Sequence, residues 1–209
     1  MARGSVQKSR SRDSQKPLHD AGTLKPYAAI DLGTNSCRML IAVPDDAGFN
    51  VIDGFSRVVR LGERVSETGH FQSSAIERTL KALSHCAERL QARNVNMLRA
   101  VATEACRQAS DAQGFLRRVQ SETGLDLEII TPAEEAALTV AGCGDLLRSG
   151  YANALVFDIG GGSTEIIWVA TPLGQPARLL DMISLPFGVV SLRDEFGSES
   201  LPDEVFNRL

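Results

Sequence analysis

Apolar and polar positions fall into the same order twice along this chain. Residues 28–43 read Ala-Ala-Ile-Asp-Leu-Gly-Thr-Asn-Ser-Cys-Arg-Met-Leu-Ile-Ala-Val, and residues 155–170 read Leu-Val-Phe-Asp-Ile-Gly-Gly-Gly-Ser-Thr-Glu-Ile-Ile-Trp-Val-Ala. At a constant offset, Asp31 falls on Asp158, Gly33 on Gly160, Ser36 on Ser163 and Arg38 on Glu165. Each copy is an apolar run ending in Asp, a turn rich in Gly, Ser, Thr and Asn, and a second apolar run. That pattern predicts a β-hairpin.

The rest of the pattern predicts strands alternating with helices. Val51–Arg60 is a third strand. A helix begins at Ser74, with Ser74 and Glu77 spaced as a capping box, and its apolar positions Ile76, Leu80, Leu83, Ala87 and Leu90 recur at helical spacing to about Arg93. Met97–Ala102 reads as a strand. A short helical stretch follows, then a helix over Asp111–Glu122 with Ser110 as N-cap and Gly124 as stop. Leu127–Ile130 is another strand, and Pro132 opens a helix at its favoured first position. Ala152–Asp158, Glu165–Ala170 and Arg178–Leu185 are the strands of the second copy, and Pro202–Leu209 starts a last helix. This order indicates an α/β architecture with a mixed sheet.

The repeated turns carry the first candidate chemistry. Glycine-rich turns expose backbone N–H groups that bind phosphate oxygens, which singles out Gly33, Thr34, Asn35 and Ser36, and Gly160, Gly161, Gly162, Ser163 and Thr164. Three consecutive glycines exceed what a tight hairpin needs, so a ligand is expected close to the backbone there. Asp31 and Asp158 beside the turns offer hard oxygen ligands for a divalent cation. Arg38 and Glu165 occupy equivalent positions, on the side of the strand shared with the serine two residues earlier. One wall would present a guanidinium suited to phosphate, the other a carboxylate suited to Mg2+. In Thr131-Pro132-Ala133-Glu134-Glu135-Ala136, Thr131 and Glu134 fit a capping box, while Glu135 sits where the helix macrodipole favours the ionised form a base requires. Arg107, after the strand ending at Ala102, is a second phosphate contact, of the exposed kind that salt screens.

Composition narrows the possibilities. The 209 residues are 43% hydrophobic and carry a net charge of −4. Residues 1–26 hold six basic residues against two acidic ones and four serines, which predicts a disordered basic tail and leaves the remainder more acidic still. A broad nucleic-acid surface is not expected, nor is a membrane span, because no apolar run nears the roughly 20 residues required. Cys37, Cys86, Cys106 and Cys143 are widely spaced and read as free thiols of a reducing compartment, expected to be the cytoplasm.

Several ordered motifs resemble one family. They are Ala-Ile-Asp-Leu-Gly-Thr-Asn-Ser-Cys-Arg-Met-Leu-Ile, Val-Arg-Leu-Gly-Glu, Ala-Thr-Glu-Ala-Cys-Arg, Ile-Thr-Pro-Ala-Glu-Glu-Ala, Phe-Asp-Ile-Gly-Gly-Gly-Ser-Thr-Glu and Ser-Leu-Pro-Phe-Gly-Val-Val-Ser-Leu. From about Tyr27 onward the chain is similar to the exopolyphosphatase / guanosine pentaphosphate phosphohydrolase family, a branch of the actin-like ATPase (ribonuclease H-like) fold. The resemblance implies a duplicated fold with mixed five-stranded sheets and hydrolysis of a terminal phosphoanhydride. Inorganic polyphosphate or guanosine pentaphosphate would be the substrate. It also implies Glu135 as catalytic base, Mg2+ on Asp158 and Glu165, the turns as phosphate loops, and Arg38 and Arg107 as substrate-phosphate contacts. It admits a homodimer in the full-length form. Two positions depart from the family pattern: Ala137, where arginine often follows Glu-Glu-Ala, and Arg64, where glycine often follows Leu-Gly-Glu. A sugar or acetate-type kinase on the same fold, and a non-catalytic regulator that binds polyphosphate or an alarmone, are the alternatives.

The repeat also sets expectations for organisation: a first actin-like domain over 27–150 and an incomplete second one over 151–209. Val156, Ile166, Trp168, Leu179 and Met182 would then be left uncovered, and the 209-residue chain is expected to be inactive and partly aggregated around a folded first domain.

Overall fold

The computed structural model describes residues 25–46, 48–144, 146–147 and 150–197. Residues 1–24 of the expected tail and the expected helix Pro202–Leu209 lie outside the described residues.

The first repeat folds as strands β1 (Tyr27–Leu32) and β2 (Ser36–Asp45), followed by β3 (Gly48–Val58). Helices α1 (Val65–Thr68) and α2 (Ser73–Ala92) lead to β4 (Met97–Ala102), and α3 (Glu104–Gln108) and α4 (Ala112–Thr123) lead to β5 (Glu128–Ile129). These strands form one mixed five-stranded sheet in the order β3-β2-β1-β4-β5, with β1–β2–β3 antiparallel and β1, β4 and β5 parallel. This is the mixed five-stranded sheet expected from the sequence. Helix α5 (Pro132–Gly142) then crosses to a second sheet of β6 (Asn153–Ile159), β7 (Thr164–Ala170) and β8 (Arg178–Leu185), and α6 (Val189–Phe196) follows. That sheet has three antiparallel strands among the described residues, at the three stretches expected to be the strands of the second copy.

One face of the first sheet makes the main core. Alternate residues of β1 and β2 (Ile30, Leu32, Cys37, Met39, Ile41) point at the apolar stripe of α2 (Leu80, Leu83, Cys86, Leu90) and at Phe115 and Val119 of α4. The rings of Phe71 and Phe115 meet edge to face at 5.2 Å. Helix α5, grouped with the first unit in the sequence division, packs on the second sheet: Ala136 and Val140 join Ile167, Val169, Val156, Leu179 and Met182. Val156, Leu179 and Met182 are therefore covered, contrary to expectation, because α5 is the element that covers them. Trp168 is exposed as expected, along with Leu155, Phe157 and Ile183 on the far face of the same sheet.

Two helix starts differ from the sequence reading. Gln72 is the N-cap of α2, without a side-chain cap, so the Ser74–Glu77 box does not form; the carboxylate of Glu77 pairs with Arg118 instead. Asp111, not Ser110, is the N-cap of α4. The Ser110 hydroxyl donates to the Gly69 carbonyl at 2.9 Å, tying the helix start to the turn that ends α1. Helix α6 was not expected. Its eight residues bury no side chain, although Val189, Leu192 and Phe196 fall at helical spacing; the run is too short for that spacing to stand out.

Candidate active site

The sequence repeat is a geometric repeat. In the first hairpin the Gly33 N–H donates to the Ser36 carbonyl at 2.9 Å, and in the second Gly160 donates to Ser163 at 2.9 Å. Asp31 pairs across the ladder with Arg38, and Asp158 with Glu165. Each hairpin carries a β-bulge at the equivalent place, Ile41/Ala42 and Trp168/Val169. After the third strand of each unit, the chain returns to clasp its own turn. Gly62 N–H donates to the Thr34 carbonyl at 2.9 Å, and Val190 N–H to Gly161 at 2.7 Å.

That clasp explains two of the ordered motifs. A Cβ at Gly62 would lie 2.2 Å from Thr34 Cγ2, and one at Gly188 would lie 2.4 Å from the Gly161 carbonyl carbon. No side chain fits at either place, so Leu-Gly-Glu and Phe-Gly-Val are the seats of the two turns. Arg64, the departure from the family pattern, sits in left-handed backbone at φ 59, where glycine is unstrained. Its side chain pairs with Glu67 at 2.9 Å, and its N–H donates to the Asp194 carboxylate of α6 at 3.2 Å.

The two turns meet face to face. A Cβ at Gly161 would lie 3.1 Å from Asn35 N, and one at Gly162 would lie 2.8 Å from Thr34 Oγ1. The close approach expected of a ligand at these glycines is made by the opposite turn. Thr34 and Ser163 are buried as a result.

Beside the joined turns lies a cleft of about 990 Å³, lined by Asp31, Arg38, Glu135 and Asp158. Thr103, Thr139, Leu40, Phe55 and Leu138 complete much of its wall. The turn residues, Arg107 and Glu165 are not part of that lining. Arg107 stands behind Glu135: its Nη1 donates to Glu135 Oε2 at 2.9 Å and to the Ile130 carbonyl at 2.9 Å. Its side chain is only 15% exposed, so the exposed contact expected from sequence is instead a sheltered ion pair. Glu165 is buried, and its Oε1 accepts from the Ser184 hydroxyl at 2.8 Å. Asp158 Oδ2 accepts from Thr139 Oγ1 at 2.7 Å.

The start of α5 positions Glu135. Thr131 Oγ1 accepts from Glu134 N–H at 3.2 Å and Pro132 fills the first turn. The Glu134 carboxylate completes no capping box; it pairs with Arg99. Burial, reinforced by the charges of Glu165 and Asp31, raises the Glu135 pKa above the ordinary 4.5 despite the opposing pull of Arg107. The expectation that the macrodipole leaves ionisation favoured is corrected in sign, since desolvation is the larger effect. Asp31 is raised as well, first by burial and further by Asp158, against the pull of Arg38.

Sequence reasoning missed the supporting residues. Thr139 had a readable signal, because it lies four positions after Glu135 and shares its helix face. Ser184 had none before the register of β7 on β8 placed it opposite Glu165. The carboxylates suit a hard cation such as Mg2+, although among the described residues no three Asp, Glu, His or Cys side chains converge into a ready cage. Mg2+ commonly takes one or two carboxylates and completes its shell with phosphate oxygens and water, so the donor set fits.

The model of the Ppx/GppA phosphatase family matches residues 40–206, and the chain belongs to that family. A solved Ppx/GppA family member from Aquifex aeolicus is 34% identical with a TM-score of 0.69, over 88% of this chain and 58% of its own. An exopolyphosphatase from Cytophaga hutchinsonii is 27% identical with a TM-score of 0.75, over 84% of this chain and 55% of its own. An exopolyphosphatase-like protein is 31% identical with a TM-score of 0.76, over 84% of this chain and 54% of its own. The chain thus spans a little over half the length of these relatives.

Proposed function

We propose that this chain carries the catalytic half-site of a hydrolase that releases terminal phosphate from inorganic polyphosphate. The observation that carries the reading is the position of Glu135. It stands in the cleft with Asp31, Arg38 and Asp158, its carboxylate held by Arg107, and burial, with a smaller push from the carboxylates of Glu165 and Asp31, raises its pKa. A base of raised pKa accepts a proton from water more readily once ionised.

In this reading Arg38, exposed in the cleft wall, contacts the incoming phosphate. Glu135 orients water in line with the terminal phosphorus and takes its proton. Asp158, steadied by Thr139, and Glu165, steadied by Ser184, would hold Mg2+, with Asp31 beside them. Bound Mg2+ would neutralise charge on the phosphate oxygens. Such a reaction depends on positioning and electrostatics more than on covalent chemistry. The turn amides from Gly33 to Ser36 and from Gly160 to Thr164 would reach phosphate only where the two turns part. The apolar flank of Leu40, Phe55 and Leu138 also suits a purine, which supports guanosine pentaphosphate as a second substrate.

The test is phosphate release from polyphosphate with Mg2+. Glu135→Gln is expected to lower turnover by roughly 10²–10⁴-fold, the usual worth of a general base. Asp158→Asn is expected to raise the Mg2+ concentration needed for half-maximal rate, because an amide is the weaker ligand for a hard cation. A Glu135→Gln protein with undiminished turnover would remove Glu135 from the mechanism.

A further inference from the structure

Arg107 has a second carboxylate partner, on the side away from Glu135. Glu104 opens α3, and its side chain is as sheltered as that of Arg107, at 15% exposure. Glu104 Oε2 accepts from Arg107 Nε at 2.8 Å. The same oxygen lies 2.7 Å from Nη2, which is fully buried and has no aligned hydrogen bond of its own; charge, not alignment, holds that nitrogen. Glu104 Oε1 accepts from Gln108 at 2.6 Å. The second turn closes over the pair, since a Cβ at Gly162 would stand 3.2 Å from Glu104 Cγ.

A guanidinium is a rigid planar fork. With its Nε–Nη2 edge fixed on Glu104, its remaining nitrogen can point only one way, and there it meets Ile130 and Glu135. We propose that Glu104 is a positioning residue: acting through Arg107, it fixes the Glu135 carboxylate in the cleft and holds the guanidinium back from the substrate's phosphates. The inference rests on the hydrolase reading for its kinetic readout only. One cation between two carboxylates is more than neutralised, which leaves Arg38 and Arg99 as the cations that line the cleft, Arg99 already paired with Glu128 and Glu134. Removing Glu104 has two opposite effects. The Arg107 fork is released, so Glu135 loses its orientation and turnover falls. The cleft also loses a negative charge and Arg107 becomes available to phosphate, so polyphosphate binds more tightly. A purely structural role would weaken folding, binding and turnover together.

The experiment uses Glu104→Ala in the full 209-residue chain. In its crystal structure, Arg107 Nη1 is expected to move beyond about 3.5 Å from Glu135, outside hydrogen-bonding range. With polyphosphate and Mg2+, kcat is expected to fall roughly tenfold to a hundredfold, the scale of a 1 Å misplacement, while KM stays level or falls. Glu104→Asp should recover part of kcat. If Glu104→Ala does not fold, Glu104→Gln keeps the volume and removes the charge for the same measurements. An unbroken Arg107–Glu135 contact, or a raised KM with unchanged kcat, would overturn the inference. If the parent chain releases no phosphate from polyphosphate, the kinetic readout falls away, and the crystal comparison alone decides the role of Glu104.

Discussion

The two hairpins share backbone geometry and differ in charge. Turn hydrogen bond, ladder pairing, bulge and clasping glycine recur, yet the residue opposite the repeated Asp is an exposed Arg38 in the first unit and a buried Glu165 in the second. A repeated backbone thus carries opposite electrostatics on the two sides of one cleft. The exposed arginine can meet an anion that arrives from solvent. The buried carboxylate can act only on what is already seated, such as a cation or Glu135.

The sharpest way to break this comparison is to give the second hairpin the sign of the first. Glu165→Lys places an unpaired cation where the native residue is 2% exposed, and should cost about 3–5 kcal/mol, the scale for an uncompensated buried charge. Urea denaturation measures it. A smaller effect is expected at the two clasps. Gly62→Ala and Gly188→Ala should each cost about 1–3 kcal/mol by overpacking. Gly188→Ala should be the worse of the two, because its Cβ meets backbone of Gly161 while that of Gly62 meets the movable Thr34 side chain. Equal and negligible losses would show that the turns are not clasped in solution.

The pH profile tests the charge balance around Glu135. Its pKa is raised, and a base acts only when ionised, so the rate should fall on acidification at a pH above the ordinary glutamate value of 4.5. An acid limb at or below that value would mean that Arg107 outweighs burial and the neighbouring carboxylates. The smallest expected effect is the reverse charge swap. Arg38→Glu at an exposed position should change stability by less than about 0.5 kcal/mol. It should still weaken polyphosphate binding, most at low salt where exposed charges are least screened.

Long, strongly periodic elements were legible in the sequence. Met97–Ala102 and Arg178–Leu185 form strands with the expected ends, and α2 follows the stripe from Ile76 to Leu90. The repeat itself was legible because both copies obey one set of backbone constraints. Caps were less so: Asp111 starts its helix while accepting from the distant Phe71 N–H, which local spacing does not encode, and Gln72 starts its helix with no side-chain cap at all. The candidate site was legible as a set of residues and less so as an arrangement. Arg107 reads as a surface cation until Glu104 and Glu135 are seen on either side of it. The glycines read as ligand contacts until the other turn is found against them. Each of these depends on which distant segment comes close.

Helix α5 has one more consequence, mechanical in kind. It follows β5 from Pro132 and packs on the second sheet, so any relative movement of the two sheets would turn about Thr131. Glu135 lies four residues along the lever, about 6 Å from that pivot at 1.5 Å per residue. A swing of about 10° would therefore carry its carboxylate about 1 Å, enough to lengthen a 2.9 Å hydrogen bond to Arg107 past the useful range. The angle between the sheets and the readiness of the base are then one variable. A force that prised the turns apart would by the same swing draw Glu135 away from Arg107, and closing them would restore the contact.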